Sequence, residues 1–169
     1  MSIVIPMLNE EKGFDGLIGK LEPSLDALGV PWEVVFIDDG SSDGTLAKLR
    51  ALTDRDTRYR GISLSRNFGK EIATAAGLNY VRGDAAVIMD ADLQHPPELV
   101  AEFLRHWREG YDVVYGQRID RAADTPLHRI SAGLFYRLFK AVSGTTLPPN
   151  AGDFRLLDRK AINAMNRMG

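Results

Sequence analysis

The stretch WEVVFIDDGSSDGTLAKLRALTDRD, residues 32–56, decides the fold. Its first part, 32–38, is apolar almost throughout, which is typical of a strand buried on both faces. A polar turn follows, and residues 42–56 show helical spacing of apolar side chains, with Ser42 or Asp43 as the predicted N-cap. A buried strand joined by a short polar turn to a helix is the repeating unit of an α/β protein.

The same unit recurs along the chain. Further strands are predicted at 2–6, 59–65, 84–90 and 112–118, and further helices at 10–28, 69–83, 96–110 and from 159 to the end. Pro23 is a candidate break or second start in the first helix, whereas Pro96 and Pro97 stand at first helical positions, where proline is tolerated. We therefore predict one α/β domain over residues 1–169, with a mostly parallel sheet and helices on both faces.

Composition excludes several classes of protein. The net charge of −2 provides no general basic field, so we expect no nucleic-acid partner. The chain has no cysteine, which excludes disulfides and thiolate metal sites. No apolar stretch reaches the roughly 18 to 20 residues needed to span a bilayer.

Polar side chains follow every predicted strand at the point where it ends. The clusters are Asn9 with Glu10, Asp38 with Asp39, the segment SRNFGKE (65–71), Asp90 with Asp92, and Arg118. Any one of them could simply be a polar loop that caps a helix. Because parallel strands end at the same edge of a sheet, where α/β proteins bind ligands, five such clusters predict one shared site.

The segment MDADLQHPP, residues 89–97, contains the most specific chemistry. Asp90 and Asp92 are two residues apart, so in extended chain their side chains point the same way. Two adjacent carboxylates are unfavourable unless a cation compensates them, and Mg²⁺ or Mn²⁺ is held by one or two carboxylates plus substrate phosphates. Gln94 adds an amide oxygen. His95 either joins these ligands or shapes the turn before the prolines.

The segment DDGSSDG, residues 38–44, imitates the start of a calcium loop. The glutamate expected at position twelve is missing, since Arg50 stands there, and this disfavours a calcium loop. Asp38 and Asp39 are instead suited to hydrogen-bond a ribose or a pyrimidine, and Gly40 and Gly44 permit close backbone approach. The chain also lacks the glycine motifs of dinucleotide-binding folds and P-loop NTPases, and the serine elbow of hydrolases.

Six segments resemble, in this order, those of inverting family 2 glycosyltransferases of the GT-A (Rossmann-like) fold. They are IVIPMLNEE, VVFIDDGSSDGT, SLSRNFGKE, MDADLQHPPELV, VVYGQR and GDFRLLDR. More narrowly, they are similar to those of the polyprenyl-phosphate glycosyltransferases, which include dolichol-phosphate mannose synthases and bacterial undecaprenyl-phosphate glycosyltransferases. The resemblance covers nearly the whole chain.

The resemblance implies roles for individual residues. The nucleotide sugar would be bound by Pro6, Asn9, Glu10, Asp38, Asp39, Lys70, Asp90 and Ala91. The cation would be held by Asp90, Asp92 and Gln94, the catalytic residues would be Asp92, Asp153 and Arg118, and the acceptor phosphate would meet Arg118, Arg129, Ser131 and Arg155. For Lys70 the alternative is a lysine in solvent at the start of a helix.

The implied reaction is transfer of a hexose from a UDP- or GDP-sugar to polyprenyl phosphate, with inversion and with Mg²⁺ or Mn²⁺. A phosphate acceptor is already an anion near pH 7, so it needs cations to position it rather than a strong base. Two alternatives stay open: a family 2 transferase with a saccharide acceptor, and a non-catalytic module that binds nucleotide sugars. The Q-x-x-R-W motif of processive synthases is absent.

The segment 121–144 predicts a basic amphipathic helix with aromatic residues. Such a helix suits a membrane interface, and the alternative is a helix packed on the sheet with its basic residues in water. The resemblance further implies that membrane helices follow residue 169 in the full-length protein, and that it works at the cytoplasmic face of a membrane. Assembly into a homo-oligomer is left open.

Overall fold

The computed structural model describes residues 1–117 and 151–167. The predicted helix 121–144, which contains Arg129 and Ser131, lies outside the described residues, and so does Arg118. The chain divides into two compact units, one formed by Met1–Val114 with Asp153–Gly169 and the other by Tyr115–Gly152. Within the described ranges, none of the helices combines the length and the apolar character needed to cross a membrane.

Strands and helices alternate as the sequence predicts. The strands are β1 (Ser2–Met7), β2 (Glu33–Asp38), β3 (Tyr59–Ser63), β4 (Ala85–Ile88), β5 (Val113–Gln117) and β6 (Ala151–Asp158). The helices are α1 (Phe14–Asp26), α2 (Thr45–Arg55), α3 (Lys70–Leu78), α4 (Val100–Arg108, after a 3₁₀ turn at Pro97–Leu99) and α5 (Arg159–Asn166).

The six strands form one sheet in the order β3-β2-β1-β4-β6-β5. Strands β3, β2, β1 and β4 run parallel to one another, whereas β6 runs antiparallel to β4. The prediction of a mostly parallel sheet is therefore confirmed. The chain passes from β1 outward to β3 and returns to β4 on the other side of β1. The order thus reverses between β1 and β4, and such a switch point is where α/β sheets bind ligands.

The core lies on both faces of the sheet, which explains why its strands are apolar throughout. On one face, Ile3, Ile5 and Phe36 pack in a cluster with residues of α1 and α4. On the other, Val4 and Ile37 pack in a second cluster with residues of α3 and α5. Successive residues of a strand point to opposite faces, so β1 and β2 supply both clusters.

A polar network ties down the amino edge of the sheet. The carboxylate of Glu33 accepts hydrogen bonds from the Ser2 hydroxyl (2.7 Å), the Arg82 amide (2.6 Å) and the Arg60 guanidinium (3.3 Å). Burial raises the pKa of Glu33, but these hydrogen bonds more than offset it and hold the pKa below its ordinary value. The network holds the loop before β4 at the amino edge of the sheet. The polar clusters that follow the strands lie at the opposite, carboxyl edge.

Three local features differ from the sequence prediction. Helix α1 begins at Phe14 rather than at Glu10, because the Glu10 carbonyl first accepts the amides of Gly13 (3.1 Å) and Phe14 (2.9 Å) in a turn. The helix also continues through Pro23 instead of breaking there. Helix α2 begins at Thr45 with Gly44 as its N-cap, so neither predicted cap residue holds that position.

Candidate active site at the carboxyl edge of the sheet

The loops that follow β1 and β2 are joined by reciprocal hydrogen bonds. The Asn9 amide donates to the Ser41 hydroxyl (2.9 Å), and the Asn9 side-chain oxygen accepts the Ser42 amide (2.8 Å). The Glu10 amide donates to the Thr45 hydroxyl (2.8 Å). Asn9 has a φ of +57°, a left-handed conformation that asparagine tolerates better than most residues. Asn9 therefore shapes the edge beside the switch point.

Asp43 completes this junction. Its carboxylate accepts the amides of Thr45 (3.0 Å) and Glu11 (3.2 Å), together with the Thr45 hydroxyl (2.5 Å). The hydroxyl bond, the largest of several causes, lowers the pKa of Asp43. Although Asp43 is not the N-cap of α2, it still accepts the first amide of that helix.

The two buried aspartates after β2 hold different partners. Asp38, 1% exposed, accepts the Ser41 amide (3.2 Å) and the Ser63 hydroxyl (3.3 Å). Asp39, 4% exposed, accepts the amides of Phe68 (2.8 Å) and Gly69 (2.9 Å), one on each carboxylate oxygen. Asp39 thus anchors the loop that leads into α3, a task that its sequence position did not reveal. The nucleoside-binding role of this pair stays a prediction.

Gly40 lets this loop approach closely. Its φ is +74°, and a Cβ at this position would lie 2.5 Å from the carbonyl carbon of Arg66 and 2.7 Å from the amide nitrogen of Asn67. Those atoms are backbone and cannot swing aside. A Cβ on Gly44 would instead meet the side chain of Glu11 at 2.4 Å. The close approach predicted for these glycines is therefore made within the protein itself.

The loop after β4 brings Asp90 and Asp92 to the same edge. Asp92 accepts the Gln94 amide (3.0 Å), which folds the loop back, and Ala91 is buried beneath it. Lys70, the first residue of α3, places its ammonium nitrogen 2.6 Å from the Oδ1 atom of Asp90. Lys70 is exposed and pairs with this carboxylate, and its assignment to the donor stays a prediction.

Glu10 lies in the turn that follows β1. Its pKa is raised above the ordinary value, first by burial and then by the negative charges of Asp92 and Asp43. Both acidic neighbours of Glu10 disfavour its charged form, and Asp92 lies in the loop after the adjacent strand β4. This part of the edge has an excess of negative charge, which a cation would relieve.

His95 packs against β6. Its ring stacks on Phe154 at 4.9 Å between centroids, and Phe154 also contacts the ring of Phe103 from α4 at 4.6 Å. The Nδ1 atom of His95 is buried and has no hydrogen-bond partner within the described part of the chain. These contacts favour the interpretation that His95 shapes the loop.

Strand β6 is the element that the sequence did not predict as a strand. Because it is antiparallel to β4, with Arg155 opposite Ile88, its first residues lie at the edge where β4 ends. Asp153 and Arg155 are therefore placed beside the loop that carries Asp90. Arg155 is half-buried, and its Nε atom has no hydrogen-bond partner among residues 1–117 and 151–167.

Comparison with known proteins assigns the family. The profile described as "Glycosyl transferase family 2" matches residues 2–165. The chain belongs to glycosyltransferase family 2. The family implied by the resemblance is therefore confirmed.

Two relatives and one solved structure are similar to this glycosyltransferase over nearly all of its length. An uncharacterized glycosyltransferase of Synechocystis is 44% identical over 99% of the chain, and a bactoprenol glucosyl transferase of Shigella phage SfV is 37% identical over 96%. The chain spans about half the length of these relatives, 53% of each. The resemblance to polyprenyl-phosphate glycosyltransferases is confirmed by the second.

The solved structure is glucosyl-3-phosphoglycerate synthase from Mycobacterium tuberculosis in complex with Mn²⁺, UDP and phosphoglyceric acid. It is 27% identical, has a TM-score of 0.63, and covers 94% of this chain and 55% of its own. The mixed sheet of the glycosyltransferase, with helices on both faces, is the GT-A fold that the resemblance implied.

The side chains of this glycosyltransferase fit a divalent cation. In the described ranges, no group of three or more histidine, aspartate or glutamate residues could hold a metal by itself. Asp90 and Asp92 offer carboxylate oxygens, which hard cations such as Mg²⁺ and Mn²⁺ prefer, and Asp90 already holds the cationic group of Lys70. A site with two carboxylates and the Gln94 amide would leave its other positions to a diphosphate.

Proposed function

We propose that the chain is the catalytic domain of a metal-dependent glycosyltransferase that moves a hexose, with inversion, from a UDP- or GDP-sugar to polyprenyl phosphate. The observation that carries the proposal is the position of the segments with Glu10 and with Asp90 and Asp92, which follow the neighbouring parallel strands β1 and β4 at the switch point of a GT-A sheet. Similarity to a bactoprenol glucosyl transferase supports the acceptor. The reaction would take place at the cytoplasmic face of a membrane.

The donor is held from two sides in this proposal. The nucleoside side would be lined by Pro6 and Asp38, at the ends of β1 and β2, and by Asn9 and Asp39, in the loops after these strands, which hydrogen bonds already order. Ordered loops lose little conformational entropy when a ligand binds, so less of the contact energy is lost. On the other side, Asp90, Asp92 and Gln94 would hold Mg²⁺ or Mn²⁺, which supplies positive charge against the leaving diphosphate.

The acceptor requires positioning more than activation. A phosphate monoester is mostly a dianion at pH 7, so its oxygen is already nucleophilic and no strong base is needed. Arg155, which pairs with the last residue of β4, is a described cation suited to orient this anion. The resemblance assigns Arg118, Arg129 and Ser131 to the acceptor phosphate as well, and Asp153, Arg118 and Asp92 to catalysis, and we keep these roles as part of the proposal.

A transfer assay with two acceptors tests the proposal. The protein is incubated with Mn²⁺, a panel of labelled UDP- and GDP-sugars, and either undecaprenyl phosphate or a free sugar. We expect labelled lipid with undecaprenyl phosphate, and loss of most activity in Asp92→Asn. Product only with the free sugar would favour the saccharide-acceptor alternative, and nucleotide binding without any product would favour a non-catalytic module.

A further inference from the structure

The ion pair between Lys70 and Asp90 joins two elements of the candidate site. The ammonium nitrogen of Lys70 lies 2.6 Å from Oδ1 of Asp90, and the two side chains are 39% and 25% exposed. Lys70 is the first residue of α3, whereas Asp90 follows β4. The positive charge therefore rests on an oxygen that the proposed function assigns to a divalent cation.

The backbone around Lys70 is held in place. Asp39 accepts the amides of Phe68 and Gly69, the two residues directly before the lysine. Helix α3 also lies unusually close to the sheet at Gly77, where a Cβ would meet side-chain atoms of β1 and β2 at 2.6 and 2.5 Å. Because the loop before α3 and the helix itself are both held in place, the backbone of Lys70 is ordered where its side chain reaches Asp90.

We propose that Lys70 is a built-in counter-ion, which competes with the divalent cation for Asp90 and transfers to the diphosphate of the donor when that cation binds. The inference rests on the proposed function, because that function places the cation on Asp90. The ammonium and the metal would use the same carboxylate oxygen, so each lowers the affinity of the site for the other.

Because of this competition, the divalent cation and the nucleotide would bind cooperatively. Without a nucleotide, Lys70 reduces the negative charge around Asp90, Asp92 and Glu10, and the cation binds weakly. The diphosphate of a nucleotide gives the displaced ammonium a new partner, so the nucleotide tightens cation binding. By linkage, the cation tightens nucleotide binding by the same factor.

The test measures Mn²⁺ affinity by electron paramagnetic resonance of free Mn²⁺, first without any nucleotide. A partly exposed ion pair contributes at most about 1 kcal/mol, which is about fivefold in affinity. We expect Lys70→Met to tighten Mn²⁺ binding by about that factor, and Lys70→Gln to behave likewise. The matched control is Lys48→Met, since Lys48 makes an ion pair of the same 2.6 Å length with Asp15 on α1. The control should leave Mn²⁺ affinity unchanged.

The second half of the test adds UDP or GDP. In the wild type, the nucleotide should tighten Mn²⁺ binding, and in Lys70→Met the tightening should be several times smaller. The variant Asp90→Asn distinguishes the counter-ion role of Lys70 from the cation site itself. If this variant weakens Mn²⁺ binding while neither Lys70 variant tightens it, the counter-ion proposal is overturned and the cation site stands. If Asp90→Asn leaves Mn²⁺ affinity unchanged, the cation assignment is overturned as well.

Discussion

Gly40→Ala tests how the loops of the candidate site are held together. The substitution has two costs at this position. A left-handed backbone with a Cβ is unfavourable by about 1–2 kcal/mol. The new Cβ would also lie 2.5 Å from backbone of Arg66, and relieving such overpacking costs a further 1–3 kcal/mol, roughly. We expect the free energy of unfolding to fall by about 2–5 kcal/mol.

Gly29→Ala is the matched control. Gly29 has a φ of +64°, close to that of Gly40, but a Cβ there would meet nothing within 4 Å. The free energy of unfolding of Gly29→Ala should therefore fall only by the cost of the left-handed backbone, about 1–2 kcal/mol. Any gain from restricting the unfolded chain is common to both variants and cancels in the comparison.

Denaturation in urea measures the two variants, and calorimetric titration of UDP and GDP with Mn²⁺ measures the functional consequence. Gly40→Ala should weaken nucleotide binding, because the displaced loop carries the amides that Asp39 holds, while Gly29→Ala should not. Equal losses of stability in the two variants would refute the reasoning, since they would show that the contact between the loops after β2 and β3 is loose.

Three further predictions concern the core and the amino edge. Burial raises the pKa of Tyr59 to about 12, and its hydroxyl has no hydrogen-bond partner within the described ranges, so Tyr59→Phe should change the melting temperature little or raise it. Glu33 has a lowered pKa, so its stabilising contribution is complete above its unfolded-state pKa of about 4.3 and is lost as the pH falls through the lower folded-state value. The stability difference between wild type and Glu33→Gln should accordingly shrink in acid, and an unchanged difference at pH 3 would contradict the assignment. Phe154→Ala should lower the free energy of unfolding by about 3–5 kcal/mol in urea denaturation, because the ring is buried between α4 and the loop after β4. A loss below about 1 kcal/mol would contradict that packing.

The alternation of strands and helices could be predicted because each buried strand is an uninterrupted apolar run. Parallel strands also end at the same edge of a sheet, so the fold class alone predicts that the polar segments after β1 and β4 lie at one edge, and these strands are indeed parallel neighbours. Strand β6 was harder to predict because it enters the sheet antiparallel and carries Arg155 among its apolar residues. Its place in the sheet depends on pairing with β4, which lies far away in the sequence.

Partners of individual side chains were the least predictable part. Asp38 and Asp39 are adjacent in the sequence but accept hydrogen bonds from different segments. The partners of Asp38 lie in the turn after β2 and at the end of β3, whereas those of Asp39 lie in the loop before α3. Contact between Lys70 and Asp90 likewise depends on the approach of two loops at Gly40. Such contacts are set by tertiary geometry, which hydrophobic periodicity does not encode.

The central claim is that one cation and one diphosphate share the edge between β1 and β4. Anomalous diffraction from crystals grown with Mn²⁺ and UDP or GDP tests it most directly. We predict a manganese peak with carboxylate oxygens of Asp90 and Asp92 at about 2.0–2.3 Å, and the diphosphate on the remaining positions. A manganese ion bound elsewhere, or a nucleotide bound away from this edge, would contradict the account.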